Sequence, residues 1–303
     1  MASKRGGRSP QRNTTRGNSR ATPRAGSRAG ARARVQASTK GKVNPHTRAP
    51  AAEKGIGGEQ VEGRQAVREL LIARRRKIRE VWISQDIDKA DIIDDIVELA
   101  HIANVSVLDV PRRKLEDRAR SEAPQGVIAF AAPLREENFD DLISPRDGKK
   151  PFLVALDGIT DPGNLGALLR CCEGAGVTGV ILPKHRAVHV TPTVAKTSAG
   201  AIEYVPMTLV SGLPNAITQM RSKGVWVVGL HDAADKTLFD MGDLTTEPIC
   251  VVLGAEGAGL SRLVRERCDM IVSIPMAGQV SSLNVSAAGA LAVYEVARAR
   301  SHR

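Results

Sequence analysis

The chain has 303 residues of which 42% are apolar, enough for about two domains with real cores. No apolar run approaches the roughly 20 residues that span a bilayer, and none of the four cysteines has Cys-x-x-Cys spacing. Those two facts argue against a membrane protein, a zinc site and a disulfide framework, and point to a soluble protein of a reducing, cytoplasmic compartment. The net charge of +11 divides unevenly: residues 1–54 hold 14 Lys/Arg and one acid, and the remainder carries 30 basic and 32 acidic residues.

The first 55 residues are Arg, Ser, Gly, Ala and Pro with almost no large apolar side chain, so nothing there offsets the entropy of ordering. A disordered basic tail is expected. It fits an electrostatic arm that attracts RNA, an organellar transit peptide, or a solvated tail with no specific task. Its interspersed Pro and Gly disfavour the amphipathic helix that a transit peptide needs.

A small α/β domain is expected over 56–133. Apolar residues at Val61, Ala66, Val67, Leu70 and Leu71 predict a helix over 60–75. A strand follows at 81–83, a helix at 92–102, a strand at 105–110, a charged helix opened by Pro111, and a strand at 126–131. The basic clusters 74–77 and 112–114 suit either phosphate contacts or solvated helix ends. Residues 134–150 are polar and read as a linker.

From Pro151 strands and helices alternate. Strands are expected at 152–156, 178–182, 225–230, 249–253 and 270–274, with helices at 165–173, 192–198, 213–222 and 285–300. Short apolar runs closed by glycine are strands buried on both faces, which makes a mostly parallel sheet with helices on either side.

Three turns leave such strands. Asp161-Pro162-Gly163-Asn164-Leu165-Gly166 enters a helix that carries Arg170, with Asn164 placed as a helix cap. Gly254-Ala255-Glu256-Gly257-Ala258-Gly259 also joins strand to helix and lets backbone N–H groups approach a ligand. An acid in that loop opposes a pyrophosphate and suits a hydroxyl-rich or cationic ligand. The third turn is Ser281-Ser282-Leu283-Asn284-Val285-Ser286. By contrast, Gly174-Ala175-Gly176-Val177-Thr178-Gly179 has the letters of a dinucleotide fingerprint but runs from helix to strand, so it is an ordinary turn. His185 and His189 lack a neighbouring Glu, and no metal site is expected. Aromatic content of 3% argues against a base-stacking platform.

Taken together, the three turns resemble the three motifs of the SpoU (TrmH-type) branch of the SPOUT RNA 2′-O-ribose methyltransferases, over about residues 151–303. Val61-Glu62-Gly63 and Gln125-Gly126-Val127 resemble that family's small N-terminal domain of ribosomal-protein L30e type; Pro124 stands where many relatives have His. The resemblance implies a parallel sheet with a C-terminal trefoil knot, S-adenosylmethionine as methyl donor, and a homodimer whose site draws on both chains. It implies cofactor contacts at Gly254, Ile274 and Leu283. It places Arg170 at the ribose 2′-hydroxyl, with Asn164, Glu256, Ser282 and Asn284 around it. A guanidinium stays protonated, which favours Arg170 as an electrostatic stabiliser or phosphate clamp over a base. The small residues 287–290 suit a dimer seam or packing inside one subunit. The expected substrate is guanosine in 23S ribosomal RNA. A tRNA ribose methyltransferase is the near rival, and a non-catalytic RNA-binding protein or a nicotinamide oxidoreductase the more distant ones.

Overall fold

The computed structural model describes residues 55–185 and 189–301; the basic tail expected at 1–54 lies outside them. The first sheet is built from β1 (Gln60–Glu62), α1 (Arg64–Ala73), β2 (Ile78–Ser84), α2 (Asp91–Ile102), β3 (Ser106–Val110), α3 (Arg112–Arg118) and β4 (Val127–Ala131). Its strand order is β1-β4-β2-β3, antiparallel except for β2 against β3. The helix expected from Gln60 starts instead at Arg64. Gly63 sits at φ 96°, where the chain turns, and Gln60–Glu62 pair with Phe130, Ala129 and Ile128. The helical spacing is real from Ala66 onward: Ala66, Val67, Leu70 and Leu71 form the buried face of α1.

Residues 134–150 are not a bare connector. α4 (Phe139–Leu142) is capped by the Asn138 side chain, which accepts the N–H groups of Asp140 and Asp141. Leu142 and Ile143 are buried against the second sheet.

That sheet follows from β5 (Phe152–Asp157), α5 (Pro162–Gly174), β6 (Gly179–Pro183), α6 (Pro192–Thr197), β7 (Met207–Val210), α7 (Leu213–Ser222), β8 (Trp226–Leu230), β9 (Lys236–Thr237), β10 (Ile249–Gly254), α8 (Arg262–Arg267), β11 (Met270–Ser273) and α9 (Val285–Ser301). Its order is β7-β6-β5-β10-β8-β11-β9, and every pair is parallel. β7, a four-residue edge strand, was not expected. The alternation of side chains explains the buried runs. Phe152, Val154 and Leu156 of β5, with Ile249, Val251 and Leu253 of β10, enter one core, while Leu153, Ala155, Cys250 and Val252 enter the core on the other face. Each large apolar side chain so buried is worth roughly 1.5–3 kcal/mol, so these central strands hold the sheet together.

The two sheets share the first of those cores, which also takes in Ile56, Val61, Val67 and Leu70. Arg76 fastens them. Its guanidinium grips Glu203 through Nε (2.9 Å) and Nη2 (2.6 Å), and Nη1 donates to the carbonyls of Gly58 and Ala132 at 2.6 Å each. The pair is buried, at 6% and 1% side-chain exposure. Arg75 donates to the Tyr204 carbonyl and lies over its ring. The 74–77 cluster is therefore partly consumed inside the protein rather than held ready for phosphate or left as a solvated helix end.

Candidate active site

The chain runs β5, β6, β7 in one direction across the sheet, then returns so that β10 and β8 lie on the other side of β5. Ligands of open α/β sheets bind beyond the carboxyl ends of the strands at such a reversal. The register places Asp157, the last residue of β5, opposite Gly254, the last of β10, so their two loops emerge side by side.

The first loop enters α5. Asp161 caps it: its Oδ1 accepts the backbone N–H of Asn164 at 2.7 Å, and Pro162 takes the first helical position. The second loop folds on itself. Ala255 and Gly259 exchange backbone hydrogen bonds of 3.1 and 2.9 Å, and a Cβ at Gly254 would overlap the backbone of Gly259. Gly254 is thus required by close backbone approach. Asp157 secures the far end of this loop by accepting the Ser261 N–H at 2.7 Å. The third loop ends at Asn284, whose Oδ1 takes both the N–H (2.9 Å) and the hydroxyl (2.6 Å) of Ser286 at the start of α9.

These loops bring Asn164, Glu256 and Asn284 into one cluster. Glu256 Oε1 accepts hydrogens from Asn164 Nδ2 at 2.8 Å and Asn284 Nδ2 at 2.9 Å, and Asn284 Nδ2 also faces Asn164 Oδ1 at 2.9 Å. The Asn284 side-chain amide is held from behind by Ser286, and the Asn164 backbone by the Asp161 cap. Glu256 Oε2 has no partner among the described residues, so one carboxylate oxygen stays open on an exposed loop.

Beside the cluster lies a cleft of about 560 Å³, within the range of small-ligand sites. Gly254 to Gly259 form one wall; Ile274, Met276 and Ser281 to Asn284 form another. Of the expected site residues, Gly254, Ile274, Leu283, Glu256, Ser282 and Asn284 all line it. Asn164 touches the cluster from α5. Arg170 does not reach the cleft: it lies exposed on α5, with no partner among the described residues. Sequence reasoning missed the third wall, Leu230, His231 and Asp232 at the carboxyl end of β8. The available signal was a polar turn after a buried strand, without a glycine pattern to mark it.

The chemistry of the cleft is selective. No lysine or arginine lines it, while Glu256 and Asp232 do. A pyrophosphate finds no counter-charge there; a cation with an adenosyl group finds two carboxylates, backbone donors and the apolar Leu253, Ile274 and Leu283. Among the described residues no three His, Cys, Asp or Glu side chains converge on a common point.

Comparison with known proteins identifies the family. Residues 151–294 match the SpoU rRNA Methylase family, and residues 60–137 match the RNA 2′-O ribose methyltransferase substrate binding family. A protein of Staphylococcus haemolyticus assigned to the TrmH family of tRNA/rRNA methyltransferases is 41% identical over 243 residues, 79% of this chain and 95% of that one. The chain belongs to the SpoU (TrmH) family of RNA methyltransferases. The 23S rRNA (guanosine-2′-O-)-methyltransferase RlmB of Shewanella oneidensis is 41% identical over 241 residues, 78% of this chain and 96% of that protein. The SpoU methyltransferase AviRb of Streptomyces viridochromogenes, solved in complex with the cofactor AdoMet, superimposes with a TM-score of 0.66 at 28% identity, over 80% of this chain and 89% of AviRb. Membership makes this chain an RNA 2′-O-ribose methyltransferase, and it removes the nicotinamide oxidoreductase reading.

Proposed function

We propose that the chain methylates the ribose 2′-hydroxyl of a guanosine in 23S ribosomal RNA, with S-adenosylmethionine as donor. The observation that carries this reading is the cluster of Asn164, Glu256 and Asn284 at the edge of a cleft without cationic side chains. Gly254, Ile274 and Leu283 would hold the cofactor, largely through their backbones and apolar surfaces. The cofactor supplies an electrophilic methyl group on sulfur.

The protein's part is alignment and charge. A ribose hydroxyl is a weak nucleophile, so its oxygen must be fixed in line and its developing negative charge stabilised. Glu256 Oε2 is the open acceptor of the cluster and is assigned to orient the hydroxyl, with Ser282 beside it. Asn164 and Asn284 keep the carboxylate in place. The always-protonated guanidinium of Arg170 is assigned to stabilise the oxygen's charge.

Because Arg170 stands outside the cleft of its own chain, we assign it to a site completed by a second copy. α9 supports this: Ala287, Leu291 and Tyr294 form an exposed stripe at helical spacing, next to α5. Gly289 serves another purpose, since a Cβ there would strike Leu168 at 2.5 Å and Leu253 at 2.8 Å inside the same subunit. Residues 56–133 are assigned to RNA contact, 134–150 to the connection and 151–303 to methyl transfer, the last with a C-terminal knot. The basic residues of 1–55 are assigned to nonspecific attraction of RNA. No helix among the described residues is long and apolar enough to cross a membrane, which suits a cytoplasmic enzyme.

The test is direct. Purified protein and tritiated S-adenosylmethionine are incubated with separate pools of unmodified ribosomal RNA and tRNA, and the labelled nucleotide is mapped. Label on a ribose of 23S rRNA is the expected result. Label in tRNA alone overturns the substrate assignment, and absence of both label and cofactor binding overturns the enzymatic reading.

A further inference from the structure

β8 ends at the candidate active site, where Leu230 lines the cleft, and begins at the opposite end of the sheet with Trp226. It is an interior strand, lying between β10 and β11. The residues in register with Trp226 on the next two strands, Ile249 and Phe152, are buried at 0% and 1% exposure. Trp226 itself is 43% exposed, although aromatic side chains have the most apolar surface to gain from burial. It borders a cavity of about 450 Å³ together with Arg221, Ser222, Gly224, Val225 and Asp269. A Cβ added at Gly224 would meet no atom within 4 Å, so the space beside the backbone there is open.

The surroundings of this cavity are cationic. α7 and α8 pack side by side. Residues 221–226 and 262–269, at the end of α7 and along α8, hold five basic residues and two acids, Glu266 and Asp269. The chain beyond residue 54 has slightly more acids than bases, so the local excess is a concentration of charge and not a property of the whole body. Arg221 is held in place: its Nε pairs with Asp269 Oδ1 at 2.6 Å, and Nη1 donates to the Arg267 carbonyl at 3.3 Å. Asp269 is fixed in turn, since its Oδ2 accepts the Val227 N–H at 2.9 Å. The Arg221 side chain nevertheless stays 47% exposed, and a guanidinium has five N–H donors to share between a carboxylate and a ligand. The Lys223 and Arg265 side chains are exposed and have no partner among the described residues.

An open indole beside an oriented guanidinium and unpaired cations suits a chain that carries planar rings and phosphates in alternation. The basic segment 1–54 has the wrong sign of charge to occupy it. Resting on membership of an RNA methyltransferase family, and not on which nucleotide is methylated, we propose that the face around Trp226 is a second RNA contact surface. Trp226 stacks on an unpaired base, and Arg221, with Lys223 and Arg265 around it, takes the adjoining phosphates. β8 is five residues long, about 13 Å from its first Cα to its last at roughly 3.3 Å per residue. That is the length of roughly four nucleotides at about 3.4 Å each, so RNA flanking the target nucleotide extends far enough to reach this face.

The test uses the full chain labelled with 5-fluorotryptophan. Two tryptophans give two fluorine signals, and the one lost in Trp226→Phe is assigned to Trp226. The other, Trp82, lies edge-on to Phe130 in the first sheet. The protein is titrated with an excess of an unstructured RNA decamer, while the anisotropy of a fluorescent end label reports total binding. The expected result is a saturable shift of the Trp226 signal. Half-saturation should need about ten-fold more RNA in Arg221→Ala and about three-fold more in Lys223→Ala, with melting temperatures unchanged. RNA bound by anisotropy beside an unmoved Trp226 signal overturns the proposal, as does an unchanged midpoint in both variants. Absence of any RNA binding overturns it too. An equal shift with guanosine monophosphate at the same concentration also overturns it, by making the cavity a mononucleotide site. Methylation of tRNA in place of 23S rRNA, by contrast, overturns the substrate assignment above and leaves this surface standing.

Discussion

Each of the two sheets contains a carboxylate gripped by neutral donors, and the two are finished differently. Glu62, in β1 of the first sheet, is fully buried and receives four donors: Gln60 Nε2 and the Arg120 N–H on Oε1, each at 2.7 Å, and the N–H and hydroxyl of Ser121 on Oε2. Glu256, beyond β10 of the second sheet, is exposed and receives two amide donors on one oxygen only. A carboxylate satisfied on both oxygens and sealed from water ties chain segments together. One held on a single oxygen at a cleft is oriented and still able to accept a hydrogen from something else. The contrast sets a structural acid beside the one assigned above to the reaction, without reference to either's sequence neighbours.

The largest effects should come from emptying the open site. Glu256→Ala is expected to lower methyl transfer by about 100-fold or more, the scale lost with one oriented transition-state contact. Its effect on stability should be small, because the residue is exposed and its loop is closed by the backbone of Ala255 and Gly259. Arg170→Ala should lose activity on the same scale while S-adenosylhomocysteine affinity stays within a few-fold, measured by single-turnover kinetics and calorimetry. Turnover by Arg170→Ala equal to the unaltered enzyme would remove that residue from the site. The reverse pattern is expected for Glu62→Ala. It strands the N–H groups of Arg120 and Ser121 and opens a cavity, at about 3 kcal/mol of stability in urea unfolding. Activity per folded molecule should remain, and its loss in a well-folded variant would break the division between the two acids.

The open site was legible in part. Its three turns stand out because glycine, proline and asparagine mark strand-to-helix junctions locally, and the junctions lie where those residues predicted. Their meeting is not local: Asn164 bonds to Glu256 across 92 residues and to Asn284 across 120, contacts that spacing cannot reveal. The family resemblance grouped them before the geometry did. His231 had no such marker, being one polar residue after an ordinary strand. The closed site was less legible. Gln60–Glu62 carries an apolar residue in phase with α1, so periodicity extended the helix over a strand, and only the left-handed backbone at Gly63 divides them. Arg76 sits in a run of four basic residues, a pattern that normally marks a solvated surface. Its burial depends on Glu203, 127 residues away. β7 offers just four residues at a sheet edge, too few for alternation to register.

The smallest expected effect sharpens the comparison by thinning each cluster by one donor. Ser121→Ala removes the hydroxyl that reaches Glu62 Oε2 but leaves the Ser121 N–H on that oxygen and both donors on the other. With three of four donors intact, the loss should be about 1 kcal/mol in urea unfolding, the net worth of a single hydrogen bond. Asn284→Ala removes one of only two donors on Glu256, and with it the acceptor for the Ser286 N–H and hydroxyl at the start of α9. A free carboxylate pivots about its one remaining bond to Asn164, so activity should fall by tens-fold while the melting temperature moves by only a few degrees. Redundancy makes the buried acid tolerant of losing one donor; its scarcity makes the exposed acid intolerant. Equal sensitivity of stability to both substitutions would mean that the Glu256 cluster is itself a structural clamp.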